Sequence, residues 1–443
     1  MPKVSVLMPT LNVAPYIGIC MESVINQTLL DIEIIVVDAE STDGTYEILQ
    51  KYAEKDHRIR VVHSEKRSYG YQLNLALSLS SGEYIAFVET DDFIEPGMLE
   101  MLAHYADEYT LDYAKGNTNS FWNLKNGSQY IAVIDTMPVD PMTVFCPKDM
   151  PELLLTEYHF WTGLYRRSFL EAIRFNETAG AAFQDIGFIV QVLNKAQRAM
   201  YVDQVVYWYR CNNDNSSVFN PKGFQYLIDE YSFVLDMDLK YDELWGDVIY
   251  LRWFAQTLGR FQTMAISGRY WPDAEKQIEF IKNVITKKLS GKNVPFHLMG
   301  DEYHALLKLF MISGRKVYDY YVEKYRNAIV TMKRITSWAS GHSVIIYGCG
   351  NWGKFAHALL DLECGVDVKA FTDSNKKFYG SLIQGLPVIS PEDAKNRFPD
   401  ALYLIASSRG KDTIRKNLLA QGIREDFIHW ERLMTDTIIL QPS

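Results

Sequence analysis

The sequence is short of the features that mark several large classes of protein. It has fewer basic than acidic residues, 45 Lys and Arg against 55 Asp and Glu, for a formal net charge of −10. A protein that grips nucleic-acid phosphate needs a basic face, so general nucleic-acid binding is not expected. Its five cysteines, Cys20, Cys146, Cys211, Cys349 and Cys364, are odd in number, and none forms a Cys-x-x-Cys pair with metal-site spacing. Reduced, mostly buried thiols are expected instead, which suits a cytoplasmic protein. No apolar run approaches the ~18–20 residues of a spanning helix. The opening Lys3-Val4-Ser5-Val6-Leu7-Met8 reads as a strand, not as a secretory signal. Low-complexity tracts and internal repeats are missing as well. Acidity does not exclude a membrane surface, because a local basic patch can sit on an acidic protein. Lys282, Lys287 and Lys288 form one small cluster of that kind.

What the sequence has is apolar material and rhythm. Its 443 residues are 48% hydrophobic and 13% aromatic, enough for large cores and for two or three domains. Strand patterns at Val4–Met8, Ile32–Val37, Ile59–His63 and Tyr84–Val88 alternate with helical ones at Tyr16–Asn26, Thr45–Tyr52 and Gly70–Leu79. This βα alternation predicts a mostly parallel sheet covered by helices on both faces. From Leu111 to Arg210 the pattern turns irregular and aromatic, with short strands and one clear helix at Gln184–Lys195. Helical periodicity then dominates, as in Asp242–Met264, Asp273–Leu289 and Val317–Trp338, until Ser343–Tyr347 opens a second βα alternation. The expected division is an α/β domain over 1–220, a helical region over 221–340 and a small α/β domain over 341–435.

In parallel sheets ligands gather at the carboxyl ends of the strands, so the residues just after each strand carry most of the information. The first strand is followed by Pro9-Thr10-Leu11-Asn12, the second by Asp38 and then Ser41-Thr42-Asp43. Asp38 is placed to accept hydrogen bonds from a base or ribose, whereas Ser41, Thr42 and Asp43 are read as helix caps. The fourth strand ends in Glu89-Thr90-Asp91-Asp92. Carboxylates packed this densely repel one another unless a cation or solvent relieves them. A divalent metal there would bridge to a diphosphate and offset the charge of a leaving nucleotide.

These segments, in this order and spacing, resemble family 2 glycosyltransferases with the GT-A fold. The resemblance is carried by Val4–Asn12, by Glu22-Ser23-Val24-Ile25-Asn26-Gln27-Thr28, by Asp31–Asp38 with Ser41–Thr45, and by Gly82–Ile85 leading into the acidic quartet. It implies a nucleotide-diphosphate sugar donor, with Thr10, Asn12 and Asp38 around the nucleoside. It also implies a divalent metal, Mn²⁺ or Mg²⁺, held by Asp91 with Glu89 in a D-x-D-type motif. Two residues depart from the pattern: Glu89 stands where the first Asp is usual, and Ala39 replaces a common second acid. Gln184-Asp185-Ile186-Gly187-Phe188 resembles the motif that supplies the general base of an inverting transfer, which makes Asp185 the catalytic candidate. A helix-dipole partner is the alternative for that carboxylate.

Lys66–Asn74 and His159–Arg167 resemble a subgroup of capsule and lipopolysaccharide transferases. By that likeness Tyr69 and Gln72 meet the donor, Lys66 or Arg67 its phosphates, and Trp161 stacks on an acceptor sugar. A solvated helix start and a core tryptophan are the alternatives. Tyr209–Ser217 reads as a lid over the diphosphate with Arg210 as its cation, or as a surface loop. The acceptor implied is a glycan or a lipid-linked saccharide of bacterial surface polysaccharide synthesis. Attachment at the inner face of the membrane and homo-oligomerisation are left open.

Tyr347-Gly348-Cys349-Gly350-Asn351-Trp352-Gly353 is a G-x-G-x-x-G between a strand and a helix, with Asp373 at about the ~20-residue distance of a ribose-binding acid. The unit is shorter than a full dinucleotide fold, and it resembles the small Rossmann-like domains appended to carbohydrate-modifying enzymes. An oxidoreductase run by this motif leaves the acids of the first domain unexplained. A non-catalytic assembly protein has no need for carboxylates at Asp38, Asp91 and Asp185.

Overall fold

The computed structural model describes residues 1–123, 129–134, 138–156, 159–180, 182–211, 213, 220, 222–290, 296–407 and 410–430. The chain divides into two compact units, Met1–Asn119 with Ile134–Asp319, and Ser120–Val133 with Tyr320–Ser443.

In chain order the first unit opens with β1 (Val4–Thr10), α1 (Ala14–Ile25), β2 (Ile32–Asp38), α2 (Thr45–Ala53), β3 (Ile59–His63), α3 (Tyr69–Leu79) and β4 (Tyr84–Phe87). Every residue of β1 is buried, and all but one of β2. Such unbroken apolar runs need covering on both faces, which is what parallel βαβ crossovers supply. β5 (Phe93–Ile94), α4 (Met98–Glu108), β6 (Tyr113–Asn123), β7 (Gln129–Ile134), β8 (Val144–Phe145), β9 (Gly163–Arg166), α5 (Gln184–Lys195) and β10 (Ala199–Arg210) follow, with β6 from Ser120 and β7 up to Val133 falling in the second unit. The sheet order is β3-β2-β1-β4-β9-β6-β10-β5, with β7 on β6 and β8 on β10. β1 to β4 are parallel, and the order changes to antiparallel pairing at β4–β9.

The register matters for the site. Thr10 lies directly opposite Asp38, and Leu7 opposite Phe87, so β1, β2 and β4 end at one edge. Helices α6 (Gly223–Asp236), α7 (Glu243–Ile266), α8 (Glu275–Leu289) and α9 (Asp301–Ile312) pack in the first unit, with α6 against α5. The helical region expected over 221–340 is thus shared. Its part up to Asp319 belongs with the sheet, because the apolar faces of α6 and α7 are buried against α5 and the turn at Pro151–Leu155. No helix among the described residues is long and apolar enough to cross a membrane.

α10 (Gly314–Ala339) leads into the second unit: β11 (Val344–Tyr347), α11 (Asn351–Cys364), β12 (Val368–Thr372), β13 (Leu382–Ile383), β14 (Leu386–Ile389), α12 (Pro391–Arg397), β15 (Leu402–Ile405), α13 (Lys411–Ala420) and β16 (Ile428–Trp430). The strand order is β13-β14-β12-β11-β15-β16, parallel apart from the β13–β14 hairpin. Separate apolar clusters cover its two faces, one built on Val344, Ile346 and Phe371, the other on Ile345, Tyr403 and Ile405.

Candidate functional site

The carboxyl ends of β1, β2 and β4 form the floor of the site. Thr10 and Asp38 are each 2% exposed there. One Asp38 oxygen accepts the Ser41 N–H at 3.0 Å, while its Oδ1 and the Thr10 hydroxyl are buried with no hydrogen-bond partner among the described residues. Buried polar atoms are normally paired, so these two point to a missing polar partner. Asn12 has a left-handed backbone (φ 53). Its N–H donates to the Ser41 hydroxyl at 2.9 Å and its side-chain oxygen accepts the Thr42 N–H at 2.8 Å. Ser41 and Thr42 therefore lock two loops together instead of capping α2, whose N-cap is Gly44 with φ 96. Asp43 does serve that helix start, accepting the Thr45 N–H at 3.1 Å, and it ties α1 to it through the Ala14 N–H at 2.9 Å.

Gln72 is 4% exposed, and its amide donates to the Thr10 carbonyl at 2.9 Å and the Val37 carbonyl at 2.6 Å. Its amide nitrogen clamps the two strand ends rather than facing a ligand. Tyr69, at the start of α3, donates its hydroxyl to Glu89. Burial, then the charge of Glu89, then those of Asp185 and Asp91, hold that phenol well above its ordinary range. One hydroxyl thus feels the acidic quartet and the candidate base together. Lys66 and Arg67 sit at the rim, paired with Glu177 at 3.1 Å and Glu40 at 3.5 Å.

Within the quartet the acids differ. Thr90 donates to the Pro9 carbonyl at 3.0 Å, pinning the turn to β1. Asp92 is 1% exposed, and both its oxygens are taken, by the Tyr207 hydroxyl at 3.0 Å and the Arg210 N–H at 2.7 Å. Asp91 accepts the Asn213 amide at 2.7 Å on one oxygen. Glu89 likewise accepts on one oxygen, from the Tyr69 hydroxyl. Burial, with the charges of Asp91 and Asp185, pushes Glu89 up to about 8 despite the Tyr69 hydrogen bond. A cation between Glu89 and Asp91 would relieve that cost. Among the described residues no group of three His, Cys, Asp or Glu side chains is placed to hold a metal ion. Two carboxylates do fit a hard divalent ion that takes its remaining oxygens from phosphate and water.

Arg210 is 5% exposed, its guanidinium lies 4.6 Å from the Tyr16 ring centroid, and its Nε donates to the Asp91 carbonyl at 2.7 Å. The loop expected as a lid lies outside the described residues from Asn212 to Ser217, Asn213 excepted. Trp161 is 7% exposed, stacked on His159 at 4.5 Å and Tyr209 at 5.4 Å and packed on Tyr207 at 4.1 Å. Little of that ring is open to a sugar.

Asp185 lies in the first turn of α5, partly exposed, and its position depends on an unusual approach. Ser68 and Gly180 form a parallel bridge, with the Tyr69 N–H donating to the Gly180 carbonyl at 3.0 Å. Phe183 then takes a left-handed φ of 68 to turn the chain into the helix. Those two features bring Tyr69 and Asp185 to one place.

Sequence reasoning overlooked several residues here. Lys115 on β6 is 4% exposed, bonds the His159 carbonyl at 2.8 Å and Thr162, and is lowered to about 7 by burial. Glu230 on α6 is 1% exposed and accepts the Gly187 N–H at 2.7 Å. The signal for Glu230 was a charged residue in the apolar stripe of Phe224, Leu227, Tyr231 and Val234.

A sheet switching from parallel to antiparallel beside strand ends that carry an acidic quartet defines a GT-A-like α/β fold. The structure of Staphylococcus aureus TarS residues 1–349 shares that fold, with a TM-score of 0.51 and 22% identity, covering 73% of this chain and 91% of that one. The model of glycosyl transferase family 2 matches residues 5–172. EpsJ of Bacillus subtilis, an uncharacterized glycosyltransferase, is 30% identical over 241 residues, which are 52% of this chain and 68% of EpsJ. Glycosyltransferase GlyA of Streptococcus pneumoniae is 31% identical over 240 residues, which span 52% of this chain but only 34% of GlyA. The chain belongs to glycosyl transferase family 2.

Proposed function

We propose that the chain is an inverting, metal-dependent glycosyltransferase that moves a sugar from a nucleotide-diphosphate donor to a carbohydrate or lipid-linked acceptor. The observation that carries this reading is the Tyr69 hydroxyl, bound to Glu89 and lying in the field of both Asp91 and Asp185. It puts a carboxylate fit for a base beside carboxylates fit for a metal. The nucleoside lies at Thr10 and Asp38, each with one buried side-chain oxygen unpaired among the described residues, with Asn12 and Gln72 holding that edge in shape. A divalent cation shared by Glu89 and Asp91, when bound, offsets charge on the departing diphosphate. Arg210, braced by Tyr16 and the Asp91 carbonyl, adds a cation on the same side. Asp185 takes the proton of the acceptor hydroxyl, whose oxygen attacks the anomeric carbon in line as the diphosphate leaves. Trp161 lines the acceptor side as part of an aromatic wall. TarS, of the same fold, has been seen with UDP-GlcNAc, which supports a nucleotide-sugar donor.

The second unit is read as a Rossmann-like domain, degenerate or regulatory rather than redox in function. Among the described residues its five parallel strands run in the order third, second, first, fourth, fifth, and the Cys349 N–H at the glycine turn donates to Asp373 at 2.9 Å. The free thiols Cys20, Cys146, Cys211 and Cys349 suit the cytoplasm, with peripheral attachment at the inner membrane face and surface-polysaccharide synthesis as the wider setting.

Calorimetric titration with UDP, GDP, CDP and dTDP, with and without Mn²⁺, tests this. One nucleotide should bind only with metal, and Asp91→Ala should weaken it by about 100-fold, on the order of 3 kcal/mol. Binding that ignores both metal and Asp91 rejects the assignment.

A further inference from the structure

Helix α6 lies beyond residues 5–172, the stretch that the family model matches, yet one of its faces is built around the site. Residues 226, 229, 230 and 233 fall on a single side of the helix by the 3.6-residue repeat. A Cβ on Gly180 would lie 3.0 Å from the Tyr226 hydroxyl, and one on Gly187 would lie 3.0 Å from the Phe233 ring. The Asn176 amide reaches the Asp229 carbonyl at 3.5 Å and the Glu230 carboxyl at 2.9 Å. Glu230 is the centre of this seat. Its second oxygen accepts the Gly187 N–H at 2.7 Å, in the first turn of the helix that carries Asp185. A Cβ at Gly187 would come within 2.6 Å of that oxygen, so the glycine and the carboxyl are matched. On the far side, Asn176 closes on α3: a Cβ at Gly70 would lie 1.8 Å from its carbonyl oxygen.

We propose that Glu230 is a positioning residue for catalysis, holding the first turn of α5, and hence Asp185, in register with the Tyr69 end of α3. This rests on the reading of Asp185 as the base. A carboxyl 1% exposed is costly to keep and has no need to be there for packing alone. Burial pushes it up to about 8, so it serves near neutrality as a hydrogen-bonding group rather than as a second charge beside Asp185. Glutamine preserves the acceptor for the Gly187 N–H, and a flipped Asn176 amide meets its new NH₂ group.

The test is a double-mutant cycle on the full chain. Turnover of UDP-N-acetylglucosamine, UDP-glucose and GDP-mannose is followed by nucleotide release for wild type, Glu230→Ala, Glu230→Gln, Asp185→Asn and Glu230→Ala with Asp185→Asn. Glu230→Ala should lower kcat by about 10- to 100-fold, as expected for sub-ångström misplacement of a base. Nucleotide affinity should stay unchanged, and Glu230→Gln should recover most of the rate. In the Asp185→Asn background Glu230→Ala should cost nothing further, because both act through one group. An equal loss in both backgrounds, or no loss in wild type, overturns the proposal. Full rate in Asp185→Asn alone instead removes the base assignment, and the proposal falls with it. A ligand-free check covers poor folding of the alanine variant. Amide exchange at Gly187 should quicken at least about 10-fold in Glu230→Ala and stay near wild type in Glu230→Gln; unchanged exchange in Glu230→Ala also overturns it.

Discussion

His159 shows how a single partly buried side chain sets a pH limit. Its Nε2 is buried with no hydrogen-bond partner among the described residues, and its ring stacks on Trp161. Burial, helped by the charges of Lys115 and Arg252, holds the imidazole down to about 3. In the unfolded chain it returns to its ordinary 6.5. Between those values the unfolded chain binds a proton that the folded one refuses, so stability falls as pH drops through that window. Above 6.5 both states are neutral and the effect vanishes. Replacing His159 with Phe keeps a flat ring against Trp161 and removes the titration. The unfolding free energy of wild type from urea titration should fall between pH 7 and pH 5 by up to about 2 kcal/mol more than that of the His159→Phe variant. Equal slopes would mean the ring is reached by water. Asp38 and Thr10 make the complementary point, since each keeps a buried polar atom unpaired among the described residues, which costs stability.

At the scale of elements, α3 is seated as closely as the fold permits. Gly70 in its first turn leaves no room for a methyl group, whose carbon would lie 1.8 Å from the Asn176 carbonyl oxygen. Gly70→Ala should therefore cost about 1–3 kcal/mol in denaturant unfolding, as overpacking of a fixed backbone does. Because Tyr69 adjoins it, the same variant should weaken metal-dependent nucleotide binding; wild-type stability and binding together would show that α3 can move. Such tight helices were the readable ones. β3 and α5 fall at the limits expected from periodicity, and β1, β2, α1 and α2 within two residues, because buried parallel strands and one-sided helices leave clean repeats. β6 and β10 were not legible at their full lengths of 11 and 12 residues. Lys115, Thr118 and Ser120 are polar yet buried on β6, which erases the apolar alternation a strand is recognised by. The acids at element ends were visible for the same reason that Glu230 was not. Asp38, Asp91 and Asp185 stand at element ends, whereas Glu230 reaches the site only through the packing of α6 on α5.

Across the whole molecule the question is which sheet edge takes the nucleotide, because both units end parallel strands in a turn beside an acid. Each edge leaves a threonine hydroxyl buried and unpaired among the described residues, Thr10 in the first and Thr372 in the second, so the edges differ at their acids. In the first, Asp38 keeps a buried oxygen without a partner among the described residues. In the second, Asp373 already accepts the Cys349 N–H at 2.9 Å and the Asn375 N–H at 2.8 Å, so the chain's own carboxylate sits on an amide of the glycine turn. The glycines there are not equal. Gly348 has φ 128, and a Cβ on Gly353 would lie 1.9 Å from the Gly348 carbonyl oxygen, so both are required by the backbone. Gly350 has an ordinary φ of −76 at the N-cap of α11 and open space where its Cβ would be. Gly350→Trp therefore obstructs the helix N-terminus without forcing the turn. In the titrations with nucleoside diphosphates and Mn²⁺, this variant should bind as wild type does, while Asp91→Ala loses the metal-dependent event. If instead Gly350→Trp removes binding and Asp91→Ala keeps it, the nucleotide belongs to the second unit and the acids of the first need another explanation. A second, metal-independent event lost only in Gly350→Trp would make the second unit a nucleotide sensor attached to the transferase.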